Sequence, residues 1–219
     1  EQAVKKNLIT MIYTNAPPAV APHGALKSLF GTNPICFGTP TGSKIPFILD
    51  TSISMINRGN IRLAERNNKK IPKGVALDKF GKPTTDAKKA LQGVQLPIAG
   101  FRGSGLAWMV DILSGVLTGG NHAGRVKDPF DDFSGPQNIG HLFITFKTNL
   151  FVKNYNTRIK DNIKNESYFK GPLNVGNLHN IQRIINGTSF SLTQNKAALG
   201  CISRPGPRIT RFRSRLCDC

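Results

Sequence analysis

Between Ile35 and Thr51 the chain carries two short apolar runs divided by a cluster of turn formers, and this alternation restricts the local fold more than any other stretch. Ile35-Cys36-Phe37 is rich in strand formers, Thr39-Pro40-Thr41-Gly42-Ser43 reads as a turn, and Pro46-Phe47-Ile48-Leu49 is a second strand. That second run stops abruptly at Asp50-Thr51-Ser52. A carboxylate at the end of a buried strand is costly unless it has partners, so Asp50 is expected either to cap something or to bind something. As a cap, the Asp-Thr-Ser cluster would satisfy free N–H groups at a helix start. As a binding feature, it would line the crevice that open α/β sheets form at the carboxyl ends of their strands. The two readings are compatible, because free helix N–H groups also bind phosphate.

The flanking segments extend the α/β pattern. Residues 1–8 resemble a helix end, and Leu8 to Tyr13 is strand-like until Pro17-Pro18 forces an extended loop that contains His23. A lone loop histidine is a packing or surface residue more often than a catalyst. Residues 55–66 follow helical spacing, and Asn67-Asn68-Lys69-Lys70 breaks it. The connector from Ile71 to Leu91 holds a predicted turn at Asp78 to Gly81 and a predicted cap at Thr84-Thr85-Asp86. Gly100-Phe101-Arg102-Gly103-Ser104-Gly105 then opens a helix, with Leu106, Met109, Val110, Leu113, Val116 and Leu117 expected on its buried side. A glycine-rich turn of this kind lets a backbone approach a phosphate, and Arg102 would add a fixed positive charge. It lacks the G-x-G-x-x-G dinucleotide spacing. Asp128, Asp131 and Asp132 read as a solvated acidic turn rather than a calcium loop. Gly140 to Phe146 is a predicted strand and Asn154 to Asn165 a polar helix.

Charge and cysteine usage bound the function classes. The net charge of +18 is uneven: 13 Lys and Arg against 3 acids give +10 in residues 147–219, while 17 against 9 give +8 in residues 1–146. Such an excess attracts nucleic acid non-specifically, but no recognised motif or aromatic stacking set accompanies it. Apolar residues make up 39% of the chain, and no apolar run approaches the length of about 18 residues that suggests a membrane span. Cys36 lies in a strand, and Cys201, Cys217 and Cys219 lack zinc-ligand spacing, so neither a disulfide scaffold nor a metal site is expected. A reducing, cytoplasmic setting fits. From Arg204 onward, Pro205, Pro207 and five arginines predict poor order.

Seven segments in order resemble the malate/L-lactate dehydrogenase family, the group that includes L-sulfolactate dehydrogenases and is unrelated to Rossmann-type enzymes. They are Thr14 to Pro22, Gly31-Thr32-Asn33-Pro34, Ile48 to Ser52, Ile71 to Asp78, Gly81 to Asp86, Gly100 to Leu106 and Gln137 to Phe143. The resemblance implies an α/β fold, a mixed sheet with flanking helices, as the cofactor domain over residues 1–150, followed by a divergent basic segment over 151–219. It further implies NAD or NADP as cofactor, a 2-oxo or 2-hydroxy acid as substrate, and a homodimer. By position, the cofactor contacts implied are Thr14, Asn15 and Ala16, then Pro46, Phe47, Ile48, Leu49, Asp50, Thr51 and Ser52, then Gly100, Phe101 and Arg102. Thr32 is implied to face substrate.

Departures from the family pattern qualify the implied activity. Ala16 stands where the family usually has Ser, and Arg102 where it has Lys, which keeps the charge but not its geometry. The family's catalytic His and carboxylate-binding Arg lie in a region expected ahead of Glu1. His23, His122, His141 and His179 do not occupy the matching place, and Arg204-Pro205-Gly206-Pro207 is only an echo of the family's C-terminal Pro-Gly segment. No catalytic residue is therefore expected within this sequence. A catalytically inactive binding protein with a basic tail is the alternative.

Overall fold

The computed structural model describes residues 1–43 and 46–164. Expectations for the tail beyond residue 164, including His179, Cys201, Cys217 and Cys219, lie outside those residues. The described chain runs α1 (Gln2–Lys5), β1 (Leu8–Thr14), β2 (Ile35–Thr39), β3 (Phe47–Thr51), α2 (Arg58–Arg66), β4 (Ala76–Leu77), α3 (Ala87–Leu91), β5 (Val94–Gln95), α4 (Phe101–Asp111), β6 (His141–Lys147) and α5 (Tyr155–Lys164). A π-helical stretch, Ile112–Val116, continues α4.

The α/β class with flanking helices is as expected. Four strands form one sheet in the order β3-β2-β1-β6. Its ladders are antiparallel, and a parallel pairing appears in the bridge between Val20 and Gln95. The turn residues at 39–43 do divide β2 from β3, with Phe37 opposite Leu49 and Ile35 opposite Thr51. β3 is an edge strand, so its run is not buried as its composition suggests: Leu49 is 39% exposed and Asp50 is exposed as well.

The capping reading of Asp50-Thr51-Ser52 is corrected by this topology. Asp50 and Thr51 belong to the β2–β3 ladder, opposite Cys36 and Ile35. The chain stays extended beyond them, with the Ile53 N–H donating to the Thr32 carbonyl at 2.8 Å. The next helix starts only at Arg58, behind an Asn57 whose side chain makes no capping bond.

Turn chemistry legible from residue type is realised farther along. The Asp78 carboxylate accepts the N–H groups of Phe80 (2.9 Å) and Lys82 (3.0 Å). These bonds, that from Lys82 foremost, hold its carboxyl below the usual range. Asp86 caps α3 by accepting the Lys89 N–H at 3.0 Å. In the acidic turn Asp131 and Asp132 are exposed, as expected, whereas Asp128 is partly buried and pairs with Arg58 at 3.6 Å.

Two apolar cores result. Val20, Phe30, Ile53, Ala107 and Val110 form one, between the sheet and α4. Ile61, Ile71, Val75, Ala76, Ala87 and Ala90 form the other, around α2, α3 and the small β4-β5 ribbon. The buried side of α4 differs from the predicted one. Val110 is inside, but its companions are Gly103, Ala107, Asp111, Ser114 and Gly115, while Leu106, Met109, Val116 and Leu117 face outward. The small residues allow the helix backbone to lie directly on its neighbours: a Cβ on Gly103 would overlap the Ile98 carbonyl. Bulk on that face would hold the helix away.

Candidate functional site

Ile53 laces together three of the segments singled out from sequence. Its N–H donates to the Thr32 carbonyl at 2.8 Å, and its carbonyl accepts the Ile98 N–H at 2.9 Å. Ile98 leads into the Ala99-Gly100 turn that opens α4. On the other side, Gly31 lies flat against Ala16, where any Cβ would overlap the Ala16 carbonyl. The chain thus brings Ala16, Thr32, the Ser52-Ile53 strand end and the Gly100 turn into one contiguous array of backbone, from four separate parts of the sequence. Close backbone approach of this kind leaves no room for side chains between the segments, which explains the glycines at 31 and 103 without a dinucleotide fingerprint.

The residues at the head of this array differ in what they offer. Thr14 hydrogen-bonds His141 Nδ1 at 2.8 Å across the sheet. Asn15 is fully buried. Its amide Nδ2 donates to the Asn121 carbonyl at 2.6 Å and to Asp111 at 3.5 Å, while its Oδ1 accepts the Gly140 N–H at 3.0 Å. Asp111 is buried too, and its other oxygen accepts the Ala123 N–H at 2.8 Å. The Asn15 side chain is therefore engaged in fixing Thr14 and Ala16 on either side of it. At the α4 end, the backbone N–H of His23 donates to Ser104 Oγ at 2.8 Å and its ring lies against Gly100. Arg102 holds its guanidinium over the Phe101 ring, 5.5 Å from the centroid, and makes no ion pair with a described carboxylate.

A crevice of about 630 Å³ opens at the carboxyl end of β3. Thr51, Ser52, Ser54 and Ile98 line one wall, and Ile56, Asn57, Asn60, Leu63, Ala64 and Ile71 the other, with Lys69 and Lys70 at the edge. It lies between the two cores, since Ile98 packs on one and Ile56, Ala64 and Ile71 on the other. The predicted stretch from Pro46 to Ser52 is split by this geometry. Thr51 and Ser52 line the crevice, whereas Phe47, paired with Thr39 and stacked near Phe37, sits at the far end of β3, roughly 13 Å away at about 3.3 Å per residue. Ile48, Leu49 and Asp50 fall between, and Asp50 is not among the lining residues. Thr14, Asn15, Ala16, Thr32, Gly100, Phe101 and Arg102 do not line the crevice either, so of the expected contacts it gathers Thr51 and Ser52.

The donor set suits a nucleotide: hydroxyls and amides for polar groups, Ile56, Leu63 and Ile98 for an aromatic ring, and two lysines with no carboxylate among the described lining residues. Asn57, Asn60, Lys69 and Lys70 were not singled out from sequence, where the Asn67-Asn68-Lys69-Lys70 run reads only as a helix stop. Its doubled lysine is the one signal the sequence carried. Among the described residues no group of His, Cys, Asp and Glu is arranged to hold a metal ion, and no helix is long and apolar enough to cross a membrane.

Comparison with known proteins gives this geometry a family. The chain is 37% identical over 155 residues to the (2R)-3-sulfolactate dehydrogenase (NADP(+)) of Chromohalobacter salexigens, covering 71% of this chain and 46% of that protein. Its fold superposes on the Δ1-piperideine-2-carboxylate reductase of Pseudomonas syringae with a TM-score of 0.73 at 27% identity, covering 91% of this chain and 61% of that one. It superposes on the sulfolactate dehydrogenase of Methanocaldococcus jannaschii with a TM-score of 0.67 at 37% identity, covering 78% and 49%. The chain spans about half the length of the curated relatives it matches. The sequence profile of the malate/L-lactate dehydrogenase family matches residues 1–167, and the chain belongs to that family.

Proposed function

We propose that this chain is the cofactor-binding part of an NAD(P)-dependent oxidoreductase that interconverts 2-hydroxy and 2-oxo acids. The observation that carries the proposal is the acid-free crevice at the end of β3, built by the same Thr51-Ser52 strand end that the family resemblance marks for cofactor. The bound cofactor would supply hydride chemistry. Of this chain's residues, Thr51 and Ser52, which line the crevice, would hold and orient it by hydroxyl hydrogen bonds. Asn15 would keep Thr14 and Ala16 in place, and Thr32 would face substrate. In this reading residues 1–150 are the cofactor unit and 151–219 a divergent basic C-terminal segment. Relatives named for sulfolactate, malate and Δ1-piperideine-2-carboxylate support a small carboxylate substrate.

A homodimer belongs to the same proposal. The outward face of α4 and its π-helical continuation exposes Phe101, Trp108, Ile112, Val116 and Leu117, an apolar surface that water does not favour. A cytoplasmic setting is supported by the cysteine usage.

Titration of the full chain with reduced dinucleotide, followed by the change in its fluorescence, tests the central reading. Saturable binding that weakens several-fold in a Thr51→Val/Ser52→Ala double variant supports it. Binding that leaves these hydroxyls indifferent, or no binding at all, refutes it.

A further inference from the structure

The crevice is chemically asymmetric in a way that distinguishes the two dinucleotides. Among the described residues its charged lining is Lys69 and Lys70, with no carboxylate. Neither lysine forms an ion pair with a described acid. Asp50, next to Thr51 in sequence, is not among the lining residues.

Both lysines are anchored through their backbone rather than left on a loose loop. Asn68 turns the chain in a left-handed conformation (φ 51°), the Lys69 N–H donates to the Ala64 carbonyl at 2.8 Å, and Ile71 is buried with its N–H on the Thr85 carbonyl at 2.9 Å. Two lysines on one short segment, lining the same crevice as the Thr51, Ser52 and Ser54 hydroxyls and the Asn57 and Asn60 amides, match the charge of a phosphate monoester on a bound nucleotide. An NAD-selective site places a carboxylate against the ribose diol, which would repel that phosphate. No lining residue here can play that part.

We propose that Lys69 and Lys70 receive the 2′-phosphate of the adenosine ribose, so that the crevice selects NADPH over NADH. This inference rests on the reading of the crevice as the cofactor site. One net charge-assisted contact corresponds to a preference of about tenfold or more.

The test is fluorescence titration of the full chain with NADPH and, separately, NADH, in wild type and in a Lys69→Gln/Lys70→Gln double variant, at low and high salt. The expected result is at least about tenfold tighter binding of NADPH, weakened by salt, and falling to within about twofold of NADH in the double variant, with NADPH losing far more affinity than NADH. Equal affinities in wild type, with both ligands saturating, would overturn the inference and leave the cofactor-site reading standing. So would a preference that survives the double substitution. Failure of both dinucleotides to bind would overturn the two together. Circular dichroism of the variant, expected to match wild type because both side chains are exposed, separates lost recognition from lost fold.

Discussion

Asn15 offers the sharpest test of how the candidate site is held. Its amide makes a 2.6 Å bond to the Asn121 carbonyl, a 3.0 Å bond from the Gly140 N–H and a longer 3.5 Å contact with Asp111, all from a fully buried position. Asn15→Ala removes both short bonds and leaves the Gly140 N–H and the Asn121 carbonyl without that partner. A net hydrogen bond contributes about 1 kcal/mol, and a buried group left unsatisfied costs about 1–3 kcal/mol, so a loss of about 3 kcal/mol is expected. With a urea m-value of roughly 2 kcal/mol/M, the midpoint should fall by about 1.5 M.

Asn15→Asp sharpens the reasoning. It keeps the acceptor for Gly140 but sets a second carboxylate beside Asp111, where like charges repel. At neutral pH this variant should be less stable than Asn15→Ala. The sign with pH follows from linkage: the folded variant binds a proton between the two carboxylates more tightly than the unfolded chain does, so its stability recovers as pH falls. Urea melts at pH 7 and pH 5 read both effects. A loss below about 1 kcal/mol in the Ala variant, or an Asp variant no weaker than Ala at pH 7, would refute the assignment of Asn15 as the anchor of this segment.

Three further outcomes follow from the same geometry. Gly103→Ala should destabilise by about 1–3 kcal/mol or more, because the new methyl meets the Ile98 carbonyl. Gly105→Ala, two residues on, where a Cβ meets nothing within 4 Å, should instead stabilise α4 by about 0.5–1 kcal/mol, and thermal melts compare the pair. Asp86→Ala should cost about 1 kcal/mol by uncapping α3, read from the same melts. Burial, and then the neighbouring Asp50, push the Cys36 thiol up. The folded state therefore holds that proton more tightly than the unfolded chain. Stability should be complete below the ordinary thiol range of about 8.5 and decline as pH rises through and above it, and Cys36→Ala should remove that part of the decline.

What the sequence determined by itself is what neighbouring residues decide among themselves. The β2–β3 turn, the Asp78 turn, the Asp86 cap and the strand over 141–147 follow from side chains that bond or restrain backbone within a few positions. The order of the seven family segments was legible for the same reason, since each is a short local pattern. Tertiary structure decided the rest. Periodicity placed a helix after Gly100 but not its buried side, because α4 carries apolar groups on both sides and close backbone packing chose the small ones. Composition could not tell that β3 lies at a sheet edge, and so made Asp50 a cap rather than an exposed strand residue. Lys69 and Lys70 looked like a helix stop, and only the approach of α2 to the end of β3, across the gap between two cores, set them on the rim of the same crevice as Thr51 and Ser52. Residues 18 apart in sequence share a site there because burying Ile53 and Ile71 in adjacent cores leaves the polar ends of both segments facing one another.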